Sequence, residues 1–176
     1  MIRKLAQVMV AFVLLFSFVH PTDAGEDTNI RALAIQAAKS GRIDFAYMYY
    51  RAILNDYPNS PFAEEASFAH GEYFLMTSND REAAATFNSF IQRYPQSKSK
   101  LFALAHLFQI AAREKNEELK KDLEKKIVNF KQLSLVFRDF KEYEFQSPFL
   151  RNYKAIFYID KIEFYARGEL FAKILY

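Results

Sequence analysis

Cysteine and tryptophan are absent from this 176-residue chain. Without cysteine there is no disulfide, no thiolate zinc site, no thiol nucleophile and no thioester-linked lipid. Glycine occurs 4 times and proline 5 times. Sandwiches and barrels need many tight turns, so that scarcity favours helices joined by short connections. Neither sign of charge dominates: 24 Lys and Arg face 21 Asp and Glu, a formal net charge of +3. Such a balance lacks the basic footprint of a nucleic-acid binder. What is plentiful is core material, with 51% hydrophobic residues, 19 Phe and 11 Tyr. A packed fold is therefore expected in place of disorder.

Long apolar runs are scarce too, and the one that exists lies at the start. Val8 to Val19 is apolar apart from Ser17, and it follows Arg3 and Lys4. Thr22 and Ala24 then put small residues at −3 and −1 of a cut before Gly25. This is the pattern of a secretory signal peptide. Twelve helical residues reach about 18 Å, short of the ~30 Å hydrocarbon core. Residues 1–24 are thus expected to be removed, leaving residues 25–176 exported and soluble, with no stable membrane span. With no cysteine to acylate, the product is not a lipoprotein.

A repeat occupies the next part of the chain. Ala46, Tyr50, Ile53, Leu54, Tyr57, Pro58 and Ser60 recur 37 residues later as Ala83, Phe87, Phe90, Ile91, Tyr94, Pro95 and Ser97. Spacings of 4, 3 and 1 place the apolar members on one helix face. Proline ends each helix, because it lacks an N–H and its ring clashes with the preceding turn. The serine is expected to cap the following helix. Asn29 to Lys39 and Ala63 to Met76 read as partner helices, and Gly71 within the second implies close approach, with Ala83 opposite it.

These observations predict an all-α fold, a solenoid of three to four helical hairpins near 29–58, 60–95, 97–145 and 147–176. The third unit is irregular. Its first helix reads from Leu101 to Arg113. Its second is matched only at an offset of 50, through Leu133, Phe137, Phe140 and Ser147, which leaves an elongated charged insert at 114–132. Ser147-Pro148-Phe149 repeats Ser60-Pro61-Phe62 and suggests another helix start. A shortened fourth helical hairpin is expected there. The alternative is a β-hairpin, since KAIFYIDKIEFY is rich in β-branched and aromatic residues and ARGE can close a turn.

From Gly71, the residues Phe74, Ala83, Phe87 and Pro95 fall at the spacings of the tetratricopeptide repeat, which the chain resembles. The segments YRAILNDYPNSPFAEEASFAHGEYF, FNSFIQRYPQS and YIDKIEFYARGELFAKILY are similar to exported proteins of this type, typified by the outer-membrane assembly lipoprotein BamD and, more distantly, the Tol-Pal accessory protein YbgF. Those lipoproteins carry a cysteine at the cleavage site, where this chain has Ala24-Gly25. The resemblance implies a periplasmic protein of the cell envelope that binds other envelope proteins.

Transferring the repeat's groove positions gives Arg31 and Ile35, then Glu65, Phe68, Glu72 and Leu75, then Phe102, Gln109 and Arg113. Phe68 and Phe102 would be aromatic anchors, and Arg31 and Arg113 would hold a carboxylate or a peptide end. No catalytic motif, metal-ligand spacing or phosphate loop is present, so no enzyme activity, metal or cofactor is expected. His70 and His106 read as packing residues. The expected function is a non-enzymatic scaffold for another envelope protein or peptide segment. The alternatives are a structural homo-oligomer and an accessory module to a cell-wall enzyme, for which Glu65 and Glu72 form the one carboxylate pair to nominate.

Overall fold

The computed structural model describes residues 25–135 and 142–176, with side chains for 25–129 and 142–176. The expected signal peptide at 1–24 lies outside them, as do Phe137 and Phe140. Among the described residues there are six helices, α1 (Glu26–Lys39), α2 (Ile43–Asp56), α3 (Ala63–Met76), α4 (Asp80–Arg93), α5 (Lys100–Arg113) and α6 (Glu117–Leu135). Four strands follow, β1 (Glu142–Gln146), β2 (Asn152–Phe157), β3 (Lys161–Ala166) and β4 (Glu169–Leu175).

The period of 37 governs the helices more strictly than the sequence signature does. First helices begin at Glu26, Ala63 and Lys100, and second helices at Ile43, Asp80 and Glu117, each 37 residues after the last. The third unit is therefore in register, and the charged stretch taken for an insert is its second helix. Lys120 and Glu124 replace the Ala and aromatic of the earlier units, which hid the register. Ile127 keeps the place of Ile53 and Phe90, and all three are buried. Asn79 caps α4, its side chain accepting the Glu82 N–H.

Ser60 and Ser97 do more than start helices. Ser60 Oγ donates to Asp27 at 2.7 Å, and Ser97 Oγ donates to Glu64 at 2.6 Å. Each serine ties the end of one hairpin to the first turn of its own first helix, again at the 37-residue repeat. Neither hydroxyl makes a side-chain cap on the helix proper.

Gly71 is a close approach, and the nearest atoms belong to Phe87. A Cβ there would lie 2.7 Å from Cε1 of Phe87 and 2.9 Å from Cδ1 and Cζ. The Phe87 ring cannot retreat, being fully buried between Phe68 at 5.5 Å and His106 at 5.4 Å. Gly71→Ala should therefore lower the urea midpoint despite its better helix propensity. The overpacking penalty of about 1–3 kcal/mol exceeds the ~1 kcal/mol gained by removing an interior glycine. A more stable variant would refute the contact.

The chain is not all-α, contrary to the expectation from sequence. Its last 35 residues form a four-stranded antiparallel meander, ordered β1-β2-β3-β4. Register aligns Ala155 with Phe164 and Phe164 with Ala172, while Phe157 faces Ile162 and Ile162 faces Ile174. Alternate residues thus share one apolar face, the period of a half-buried strand. Phe149, Tyr153, Ile156, Phe157 and Phe164 also follow helical spacing, but that choice mixes the two faces of the sheet. Arg167 and Gly168 both have positive φ, 54° and 84°, and make the two-residue hairpin turn that matches strand twist. Ser147-Pro148-Phe149 starts no helix: it is the tip between β1 and β2, closed by Leu150 N–H donating to the Ser147 carbonyl at 2.8 Å.

Two apolar clusters result. The larger joins α3 to α6 with the inner face of the sheet, and the smaller joins α1, α2 and α3 with Phe149. Helix α5 belongs to the larger cluster, packed against α4, α6 and the sheet, with Leu101 to Phe108 all buried. Such a helix has no solvent face to mark with charge.

Candidate functional site

The first helices α1, α3 and α5 present one side chain per turn to a common face, as stacked hairpins must. The sheet lies on that face. Phe145 of β1 meets Phe68 at 5.1 Å edge to face and Phe102 at 5.7 Å. Tyr153 of β2 meets Phe68 at 6.3 Å, Phe102 at 5.3 Å and His106 at 5.4 Å. Beyond the strands, the tip inserts Phe149 against Tyr50 at 5.9 Å, and Tyr50 Oη donates to the Pro148 carbonyl at 3.3 Å. Half of the expected groove is thus filled by the chain itself. Phe68, Glu72 and Phe102 are fully buried beneath the strands.

Under the sheet sits a polar cluster. Tyr153 Oη donates to Glu72 Oε1 at 3.0 Å, and His106 Nε2 lies 3.1 Å from the same hydroxyl. Because the tyrosine proton is spent on Glu72, His106 must donate through Nε2, which leaves Nδ1 unprotonated. Arg151 Nε stands 3.6 Å from Glu72 Oε1. Glu72 Oε2, His106 Nδ1 and Arg151 Nε are buried without a hydrogen-bond partner. Burial pushes the Glu72 carboxyl up to about 7, opposed by the Arg151 charge and the Ser147 and Tyr153 hydroxyls. Burial likewise holds His106 down at about 3. Both therefore resist charging: the Arg151 charge opposes this at Glu72 and adds to it at His106.

The other half of the face is open. A cavity of about 600 Å³ runs between α1, α3 and the β1–β2 tip, lined by Arg31, Ile35, Lys39, Glu65, Pro148 and Leu150 among others. Arg31 Nε donates to Glu65 Oε2 at 2.7 Å, and its guanidinium lies 4.8 Å from the Phe62 ring centre. The Tyr50 hydroxyl lies 3.3 Å from Glu65 Oε1, so its one proton is shared between the carboxylate and the Pro148 carbonyl. Burial and the Glu65 charge raise the tyrosine above its ordinary range.

The structure brings Arg31, Ile35, Glu65 and Phe68 to this cavity. Glu72 and Phe102 lie deeper, under the strands. Leu75 is half-buried against the larger cluster, and Gln109 is half-buried on α5. Arg113 is exposed and spent on Asp80 of α4, which accepts from it at 2.9 and 2.7 Å. Of the residues that sequence reasoning missed, Lys39, Pro148 and Leu150 matter most here. The alternating Tyr143, Phe145 on one side of SPFLR and Tyr153, Ala155 on the other was the available signal for a hairpin tip. Glu65 and Glu72, the nominated carboxylate pair, do not share an open cleft, since Tyr153 covers Glu72 from solvent.

Residues 65–97, from within α3 through α4 to Ser97, match the tetratricopeptide repeat. The six described helices form a tetratricopeptide-like helical repeat. Tetratricopeptide hairpins serve as protein-protein interaction scaffolds, so protein partners are indicated. No curated protein matches the chain. Among the described residues no helix is long and apolar enough to cross a membrane, and no cluster of His, Asp or Glu could hold a metal ion.

Proposed function

We propose that this chain is an exported, non-enzymatic scaffold of the cell envelope whose tetratricopeptide face holds a segment of another envelope protein. The observation that carries the reading is the open cavity beside α1 and α3, walled by the Arg31–Glu65 pair. It offers an apolar floor at Ile35, a paired cation and carboxylate, and the ammonium of Lys39, a combination suited to a peptide and its charged ends. The basic and apolar start of the chain supports export and cleavage before Gly25, with the product free in the periplasm because there is no cysteine to lipidate. Resemblance to BamD-like proteins supports a part in outer-membrane protein assembly.

The test has two parts. The full chain, tagged and expressed in a bacterium with an outer membrane, should appear in the osmotic-shock fraction with Gly25 at its N-terminus. The double variant Arg31→Glu, Ile35→Asp should recover its envelope partner at least tenfold less well after crosslinking, with an unchanged helical circular dichroism spectrum. Arg31 is a surface group whose ion pair is worth about 1 kcal/mol or less, so folding should survive. A chain retained in the cytoplasm with Met1 intact, or a variant that captures as well as wild type, would sink the reading.

A further inference from the structure

The Ser147–Arg151 tip occupies the helical face as a bound peptide would. Phe149 leaves the sheet's own cluster and is buried in that of the first hairpin, 3% exposed. Its neighbour's carbonyl is recognised by a side-chain donor, Tyr50 Oη, from 98 residues away. Two positions on, Arg151 points its charge at Glu72. The occupancy is incomplete in two respects. Glu72 Oε2 and Arg151 Nε remain without hydrogen bonds although both atoms are buried, which is unfavourable for each. Leu150 is held at φ 59°, a left-handed conformation unfavourable to a residue with a side chain. The hairpin forces that turn, and a linear segment would not need it. Beyond Pro148 and Leu150 the cavity stays open, with room for residues flanking such a segment.

We propose that the buried half of the face is a peptide-binding site filled in cis by the β1–β2 tip, and that it accepts in trans a partner segment with the order proline, aromatic residue, any residue, arginine. The aromatic ring takes the Phe149 place against Tyr50, and the arginine engages both oxygens of Glu72, which the tethered Arg151 does not reach. Tethering gives the tip an effective concentration on the order of millimolar, so a free peptide is at a disadvantage against it. Its apparent affinity falls by the fraction of molecules whose site is open.

This inference rests on the tetratricopeptide face being the binding face, as in the proposed function. The probe is a fluorescein-labelled peptide with the sequence of residues 146–152, read by fluorescence polarisation against the full chain. Phe149→Ala with Arg151→Ala should bind it at least tenfold more tightly than wild type. The same variant should not bind a control peptide with alanine at the Phe149 and Arg151 positions. Equal affinity of the two proteins, or of the two peptides for the variant, would overturn the proposal. Should the variant not fold, the intact chain decides. Saturating peptide must then speed hydrogen exchange at the Leu150 and Arg151 amides, whose bonds to Ser147 close the tip; unchanged exchange would likewise overturn it. Failure here with partner capture still sensitive to Arg31 and Ile35 leaves the wider reading intact. Peptide binding without any envelope partner refutes the wider reading alone.

Discussion

Phe102→Ala is expected to destabilise the chain by about 3–5 kcal/mol, the range for removing a fully buried phenylalanine ring. The ring is 0% exposed, and four of its aromatic neighbours belong to the sheet: Tyr143 at 5.8 Å, Phe145 at 5.7 Å, Tyr153 at 5.3 Å and Phe164 at 6.3 Å. Its loss opens a cavity between α5 and three strands at once, so the change should loosen the sheet as well as lower global stability. Urea unfolding measures the first effect through the midpoint. Near-ultraviolet circular dichroism of the tyrosines measures the second, since Tyr143 and Tyr153 are both in contact with the ring. In a bare helical solenoid the same residue would line an open groove, and its truncation would cost well under 1 kcal/mol. A loss that small would mean the sheet does not lie on α5.

The second large effect concerns pH. Glu72 titrates near 7 in the fold against an ordinary value of 4.5, because burial opposes its charge. The folded chain therefore binds this proton more tightly than the unfolded chain does. Its contribution to stability is complete below pH 4.5 and is lost as pH rises through 7. Glu72→Gln removes that dependence while keeping an acceptor for Tyr153 Oη. Relative to wild type, the variant should gain about 1.4 kcal/mol per pH unit between 4.5 and 7, roughly 3 kcal/mol in all. His106 has the opposite sign. Held near 3 against an ordinary 6.5, it adds stability as pH rises from 3 to 6.5. Between 4.5 and 6.5 the two trends oppose each other in wild type, and the Gln variant should expose the His106 slope alone. Urea midpoints at half-unit intervals of pH give both curves. Parallel curves for the two proteins would show that the carboxylate is not held in its neutral form.

That carboxylate also marks how far sequence reasoning reached into the site. Glu72, Phe68 and Phe102 were identifiable as residues on the inward side of first helices, because helical spacing fixes which side chains share a face. Arg31, Ile35 and Glu65 were identified in the same way, and they line the cavity that remains open. The cover over the deeper three was not legible. Arg113 shows a related limit: it shares a helix with Phe102, but a bidentate bond to Asp80 keeps it on the stacking edge between hairpins. A choice between a distant ligand and a near carboxylate is made in three dimensions.

Local spacing was enough to specify the helical hairpins, their stops at Pro58 and Pro95 and their period of 37, because helix formation depends on neighbours three and four residues apart. In the third unit that information thinned out. Lys120 and Glu124 stand where Ala and aromatic residues had been, and only the stacking of α6 on α5 restored the register. The C-terminal segment went the other way. Its aromatic and β-branched residues fit a short amphipathic helix or an alternating strand about equally well in isolation. Strands have no local hydrogen bonds to break the tie. Tertiary structure decided it, by pairing Ala155 with Phe164 and Phe164 with Ala172, and by offering the apolar residues of α3 and α5 a sheet to be buried under.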